Sequence, residues 1–229
     1  MIDMNGGWSR TWQGNDSKYD TPGKKDIVSA IKDELEGGTL RYIEGHPEKI
    51  RMGIQAAVGE AGSAKVAVVC IGEHPYNEKP GDIDQLTLEQ SQIDLVKAIA
   101  KTNTPIVLVL VEGRPRIISE IADLADAIVH AYLPGDEGGR AIAHILFGDV
   151  NPSGKLPYTY PRFENTLVPY DHKGTDKIKI DFSTNAFNPQ FEFGHGLSYT
   201  TFAYSNLVVP AEVNMKEKLS ISVEVKNTG

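Results

Sequence analysis

Along most of this chain, unbroken apolar runs alternate with segments whose apolar residues recur at helical spacing. Residues 66–71 (VAVVCI) and 105–111 (PIVLVLV) are the clearest runs, the second ending in a polar loop at 112–115, and 127–132 (AIVHAY) is a third. A strand covered on both faces reads this way, without the in–out alternation of a half-exposed sheet. Residues 39–43 form a further short candidate strand, which makes four between 39 and 132, and LPYTY at 156–160 offers a sheet-edge strand. Between them, helical spacing predicts helices over 22–35 (capped by Thr21, with Pro22 in the first turn), about 48–59, 88–101, 117–124 and 137–147.

Strands alternating with helices on short loops imply parallel βαβ units and a sheet with helices on both faces. The pattern changes after about residue 160. Residues 161–200 are rich in Pro, Asn, Asp and Gly, and are expected to wrap over a neighbouring surface. From Leu207 onward, LVVP and LSISVEVKNTG alternate as antiparallel strands do. About two strands are too few for an independent sheet, so this stretch is expected to be the cut-off start of a further domain.

Composition narrows the classes. An apolar fraction of 40% and a charged fraction of 24% are those of a globular chain. A formal charge of −8 without a Lys/Arg cluster argues against a nucleic-acid surface. No apolar run approaches the ~20 residues that cross a bilayer, and MIDMNGGWSRTW has neither the basic nor the apolar region of a signal peptide. The single cysteine, Cys70, excludes intrachain disulfides and is expected to be an inert thiol within the core. The six histidines have no metal-ligand spacing, and no cofactor or metal is called for.

Chemistry concentrates in the loop after the 66–71 run, at the strand edge where open α/β sheets bind ligands. Between Gly72 and Leu86 lie Glu73, His74, Tyr76, Glu78, Lys79, Asp82 and Asp84, on a backbone stiffened by Pro75, Pro80 and Gly81. Paired acids of this kind suit glycoside hydrolysis, in which a retaining enzyme sets two carboxyl groups about 5–5.5 Å apart. The plainer account is a solvated loop with salt bridges to residues such as Lys79. Trp8 and Trp12, in the glycine-rich GGWSRTWQG, either plug a packing contact or stack on a sugar face. GDEGGRA before a helix resembles a phosphate cradle only loosely, because Asp136 and Glu137 repel anions and no phosphate-loop spacing is present.

GGWSRTWQG, IGEHPYNEKPGD, LPGDEGG, ILFGDVNPSGKLPYTYP and FEFGHGLSYT occur in that order. Together they resemble the second domain of family 3 glycoside hydrolases, the β-glucosidases and exo-β-glucanases, over about residues 5–205. The resemblance implies a three-layer α/β/α sandwich with a mostly parallel, about six-stranded sheet (residues 1–205). Residues 206–229 resemble the start of that family's fibronectin type III-like domain. It also implies a retaining mechanism split between two domains. An aspartate nucleophile would sit on an N-terminal (β/α)₈ barrel absent from these 229 residues, and the acid/base carboxylate here would be Glu78. Glu73 would shape the loop, and Trp12 would clamp the outgoing sugar of a β-linked glucoside or oligosaccharide. Trp8, Glu73, His74 and Tyr76 complete the expected substrate-binding set beside Trp12. Burial against barrel and substrate is expected to raise the Glu78 carboxyl above its usual value of about 4.3. Two rival readings stay open: a carbohydrate-binding or structural module without catalysis, and a nucleotide-binding doubly wound domain. Family members are often secreted or periplasmic, but the chain itself does not indicate a compartment.

Overall fold

The computed structural model describes residues 4–9, 11–44, 50–165, 170–171 and 188–229. Its centre is a parallel sheet of β1 (Ala67–Gly72), β2 (Ile106–Val111) and β3 (Ala127–Tyr132), in spatial order β1-β2-β3. Ala67 pairs with Ile106 and Val107 with Ala127. The apolar runs are explained by what covers each face. On one face, Val69, Ile71, Leu108 and Leu110 pack against α2 (Ile50–Ala61), α3 (Gln90–Ala100) and the 117–122 crossover. On the other, Val109 and Val111 pack against α1 (Ile27–Glu34) and α4 (Gly138–Phe147). The result is three layers. Gly139 is what lets the last layer close, because a Cβ there would lie 2.3 Å from the Lys25 carbonyl oxygen.

Several expectations change in detail. Among the described residues the parallel sheet has three strands, not about six. Residues 39–43 form no strand. Leu40 leans on the second core, and Arg41 turns away to donate to Glu60 (2.8 Å) and Ser63 (2.6 Å). LPYTY forms no strand: it makes one bridge, Tyr160 to Phe191, and Leu156 exchanges backbone bonds with Gly194 and His195. The first helix starts at Ile27 rather than Pro22. Asp26 caps it by accepting from the Ser29 N–H (2.7 Å), and Thr21 donates instead to Asp136 (2.5 Å). Residues 117–124 are turns that end in one 3₁₀ turn at Ala122–Leu124. Cys70 is exposed rather than buried. It sits on edge strand β1, and desolvation by its surroundings pushes the thiol up to about 11, so it stays protonated.

Part of the expected 161–200 wrap lies outside the described residues. Within the remainder, Phe191 packs on Tyr160. Beyond it, β4 (Phe202–Val208) and β5 (Ser222–Asn227) pair antiparallel as a small separate sheet. Every residue of that sheet is exposed, Tyr204 and Leu207 included.

Gly72, the last residue of β1, has φ 149°, and a Cβ there would come within 1.9 Å of the Val111 carbonyl oxygen. Gly72→Ala is expected to destabilise the chain by about 3 kcal/mol, read as a lowered urea midpoint.

Candidate functional site

The carboxyl edge of β1 delivers the 73–86 loop, and its neighbours fix it at several points. Gln92 on α3 closes the strand end with two bonds, accepting from the Gly72 N–H (2.8 Å) and donating to its carbonyl (3.0 Å). The Glu73 carboxylate is then turned inward, its side chain 5% exposed, and accepts from Arg114 Nε (2.9 Å) and Arg116 Nη1 (2.6 Å). Arg116 also donates to the carbonyls of Leu86 (2.9 Å) and Thr87 (2.6 Å), so one guanidinium ties the loop's entry to its exit.

Inside the loop, the Tyr76 ring is packed between Gly81 and the Arg114 guanidinium, which lies 4.1 Å from the ring centre. A Cβ at Gly81 would lie 2.2 Å from that ring, so glycine is required there. Burial and the nearby Glu73 carboxylate raise the Tyr76 hydroxyl above its ordinary value, which keeps it a neutral hydrogen-bonding group at physiological pH. An open cleft of about 300 Å³ lies between this loop, α3 and the arginines, with Glu73, His74 and Tyr76 in its wall.

Glu78 lies outside that wall. It is exposed, and its φ of 51° with ψ −143° is a strained conformation for a residue with a Cβ. A 3₁₀ turn at Lys79–Gly81 follows, closed by the Gly81 N–H donating to the Glu78 carbonyl (2.8 Å). On the other side, Gln13 accepts from the Asn77 N–H (2.8 Å) and donates to the Asn77 carbonyl (3.1 Å). The segment that brings Gln13 in is the tryptophan loop. A Cβ on Gly7 would collide with Asn77 and Tyr76, so glycine allows the two loops to touch. Trp8 N–H donates to the Trp12 carbonyl (2.9 Å), and both indoles remain exposed, at 68% and 49%. The fold thus brings Trp8, Trp12, Tyr76 and Glu78 to one edge. Glu73 lies beneath the loop, while His74, Asp82 and Asp84 are exposed on it.

Next to this site is a buried polar cluster built on Glu112, in the polar segment expected after β2. Glu112 is fully buried, and its Oε1 accepts from the Tyr160 hydroxyl (2.8 Å) and the Arg116 N–H (3.3 Å). Burial pushes its carboxyl up from 4.5 to about 7. His130 Nδ1 is 3.7 Å away, but burial holds that ring down to about 4, so the two are not an ion pair at neutral pH. The other His130 nitrogen bonds the Tyr158 hydroxyl (2.7 Å).

These shifts predict a pH dependence. Between 4.5 and about 7 the folded Glu112 holds a proton that the unfolded one has lost, so stability falls as pH rises through that window. His130 gives the opposite slope between about 4 and 6.5. Glu112→Gln mimics the protonated acid and keeps the Tyr160 bond. Its stability relative to the parent should therefore be unchanged near pH 5 and rise by roughly 3 kcal/mol at pH 8, read from urea midpoints.

The pattern of the glycosyl hydrolase family 3 C-terminal domain matches residues 2–199, nearly the whole chain. The chain belongs to that family. This family 3 domain is 42% identical over 214 residues to the lysosomal beta glucosidase of Dictyostelium discoideum, a match covering 89% of the chain and 25% of that protein. It is 39% identical over 188 residues to the periplasmic beta-glucosidase of Salmonella typhimurium, covering 77% and 25%. Among solved structures, a beta-glucosidase from Listeria innocua in complex with isofagomine superposes with a TM-score of 0.76 at 26% identity. That match covers 99% of the family 3 domain and 32% of the Listeria chain. The domain therefore spans about a quarter of the length of the curated relatives it matches.

Proposed function

We propose that this chain is the acid/base-bearing domain of a retaining β-glucosidase, with Glu78 as the proton donor. One observation carries this reading. Glu78 is an exposed carboxylate held in a strained backbone conformation at the sheet's carboxyl edge, on a loop touching the Trp8/Trp12 loop. Residues 1–205 would form the sandwich and 206–229 the start of a fibronectin type III-like domain. A (β/α)₈ barrel outside these residues would supply the nucleophile. The named relatives, beta-glucosidases about four times as long, support that division.

In the first step the Glu78 carboxyl protonates the glycosidic oxygen as the C1–O bond breaks, and the nucleophilic carboxylate bonds to C1. In the second, the Glu78 carboxylate takes a proton from water as the water oxygen bonds to C1 and the nucleophilic carboxylate leaves it. Neither step requires a metal or cofactor. Glu73, held inward by two arginines, would shape the loop, while His74 and Tyr76 would border the substrate path.

Because general acid catalysis alone supplies about 10²–10⁴-fold, the 229-residue chain by itself is expected to be inactive. Assaying it on an aryl β-glucoside beside its Glu78→Gln variant tests this. Turnover above that control would place a second catalytic carboxylate within the chain, with Glu73 or Asp82 the first to examine.

The exposure of both indoles also fits a sugar-binding module without catalysis. In that case Glu78→Gln in the longer enzyme changes affinity alone. If Trp12 walls the outgoing sugar, Trp12→Ala weakens oligosaccharide cleavage about 10-fold more than cleavage of an aryl glucoside, which has no second sugar to stack. Equal losses on both substrates would indicate packing only.

A further inference from the structure

We infer that Gln13 is a positioning residue for Glu78, linking the tryptophan loop to the acid. The inference rests on the reading of Glu78 as the acid/base. Gln13 is the residue after Trp12, and its side-chain amide brackets the backbone of Asn77, the residue before Glu78. It accepts from the Asn77 N–H (2.8 Å) and donates to the Asn77 carbonyl (3.1 Å). Both bonds are partly buried and span 64 positions of sequence.

The strained φ of 51° at Glu78 needs such a bracket. A left-handed, non-glycine residue relaxes toward commoner backbone regions unless both flanking peptides are held. The following peptide is held by the 3₁₀ turn, where the Gly81 N–H meets the Glu78 carbonyl (2.8 Å). The preceding one is held by Gln13. Without that bracket, rotation about Asn77 ψ and Glu78 φ swings the carboxyl away from any fixed glycosidic oxygen. Proton transfer falls steeply with misplacement of about 1 Å. The same bracket joins the wall for the outgoing sugar to the group that protonates it. A sugar stacked on Trp12 would then press on the segment that aims Glu78.

Gln13→Met keeps the side chain's length and removes both bonds, and Gln13→Asn is a shorter second variant that keeps the amide. In the 229-residue chain, Gln13→Met should speed hydrogen exchange of the Asn77 amide by about 10-fold or more, with a melting temperature within a few degrees of the parent. In the longer enzyme, kcat/KM should fall about 10- to 100-fold for glucosides with poor leaving groups and stay near the parent value for dinitrophenyl glucoside. Gln13→Asn should show the same pattern. Glu78→Gln is run on the same substrate series. A steep leaving-group dependence for Glu78→Gln with a profile parallel to the parent for both Gln13 variants overturns this inference alone. A flat profile for Glu78→Gln overturns the acid assignment and the inference with it.

Discussion

Glu78→Ala, made in the longer enzyme that this domain would complete, should lower hydrolysis of alkyl β-glucosides by about 10²–10⁴-fold. The size follows from the leaving group. An alkoxide departs slowly unless its oxygen is protonated as the bond breaks, and in the proposed reading Glu78 supplies that proton. Dinitrophenyl glucoside needs no such proton, so its first step should survive. Its second step still lacks the base that activates water, and the glycosyl-enzyme should accumulate. Burst kinetics on this substrate, followed by a slow steady state, is the expected signature. Loss of the burst along with the steady state would place the defect before glycosylation.

The second large effect is on folding. Arg116→Met should destabilise the 229-residue chain by about 3–5 kcal/mol, a large share of the 5–15 kcal/mol typical of a folded domain. Three bonds go at once: those to Glu73, to the Leu86 carbonyl and to the Thr87 carbonyl. Glu73 then keeps only Arg114 while its side chain stays 5% exposed, and an under-compensated buried carboxylate is costly. Breaking the exposed Lys97–Glu120 pair with Lys97→Ala should cost no more than about 1 kcal/mol. Urea unfolding of the two variants side by side checks the contrast. Equal midpoints would mean that the Arg116 clamp is not structural.

How much of this was legible in the sequence follows from where each residue's partners lie. β1, β2 and β3 could be read from their unbroken apolar runs, because both faces of the sheet are covered and the pattern is local. The cap at Asp26 was missed because Thr21-Pro22 gives an equally good local signal. In the fold Asp26 caps the helix and Gly139 packs against its backbone, while Thr21 bonds Asp136. Residues 39–43 have strand composition, yet Arg41 finds its partners on and just after α2, and no ladder forms. At the site, the density of ionisable residues between Gly72 and Leu86 marked the loop without any structure. Its supports were invisible. Gln13 reaches Asn77 across 64 positions, and Arg116 reaches Glu73 across 43, spacings that no local pattern encodes. Glu112 was likewise hidden, because its burial depends on Tyr160, which lies 48 positions away.

Azide rescue tests the central claim most directly. If Glu78 is the acid/base, added azide should restore turnover of dinitrophenyl glucoside by Glu78→Ala, because the anion attacks the glycosyl-enzyme without needing a base. The product should be β-glucosyl azide, with the configuration retained through two displacements. Glu73→Ala, whose parent carboxylate is tied to two arginines beneath the loop, should show no rescue. Rescue and β-glucosyl azide from Glu73→Ala, with neither from Glu78→Ala, would contradict the account.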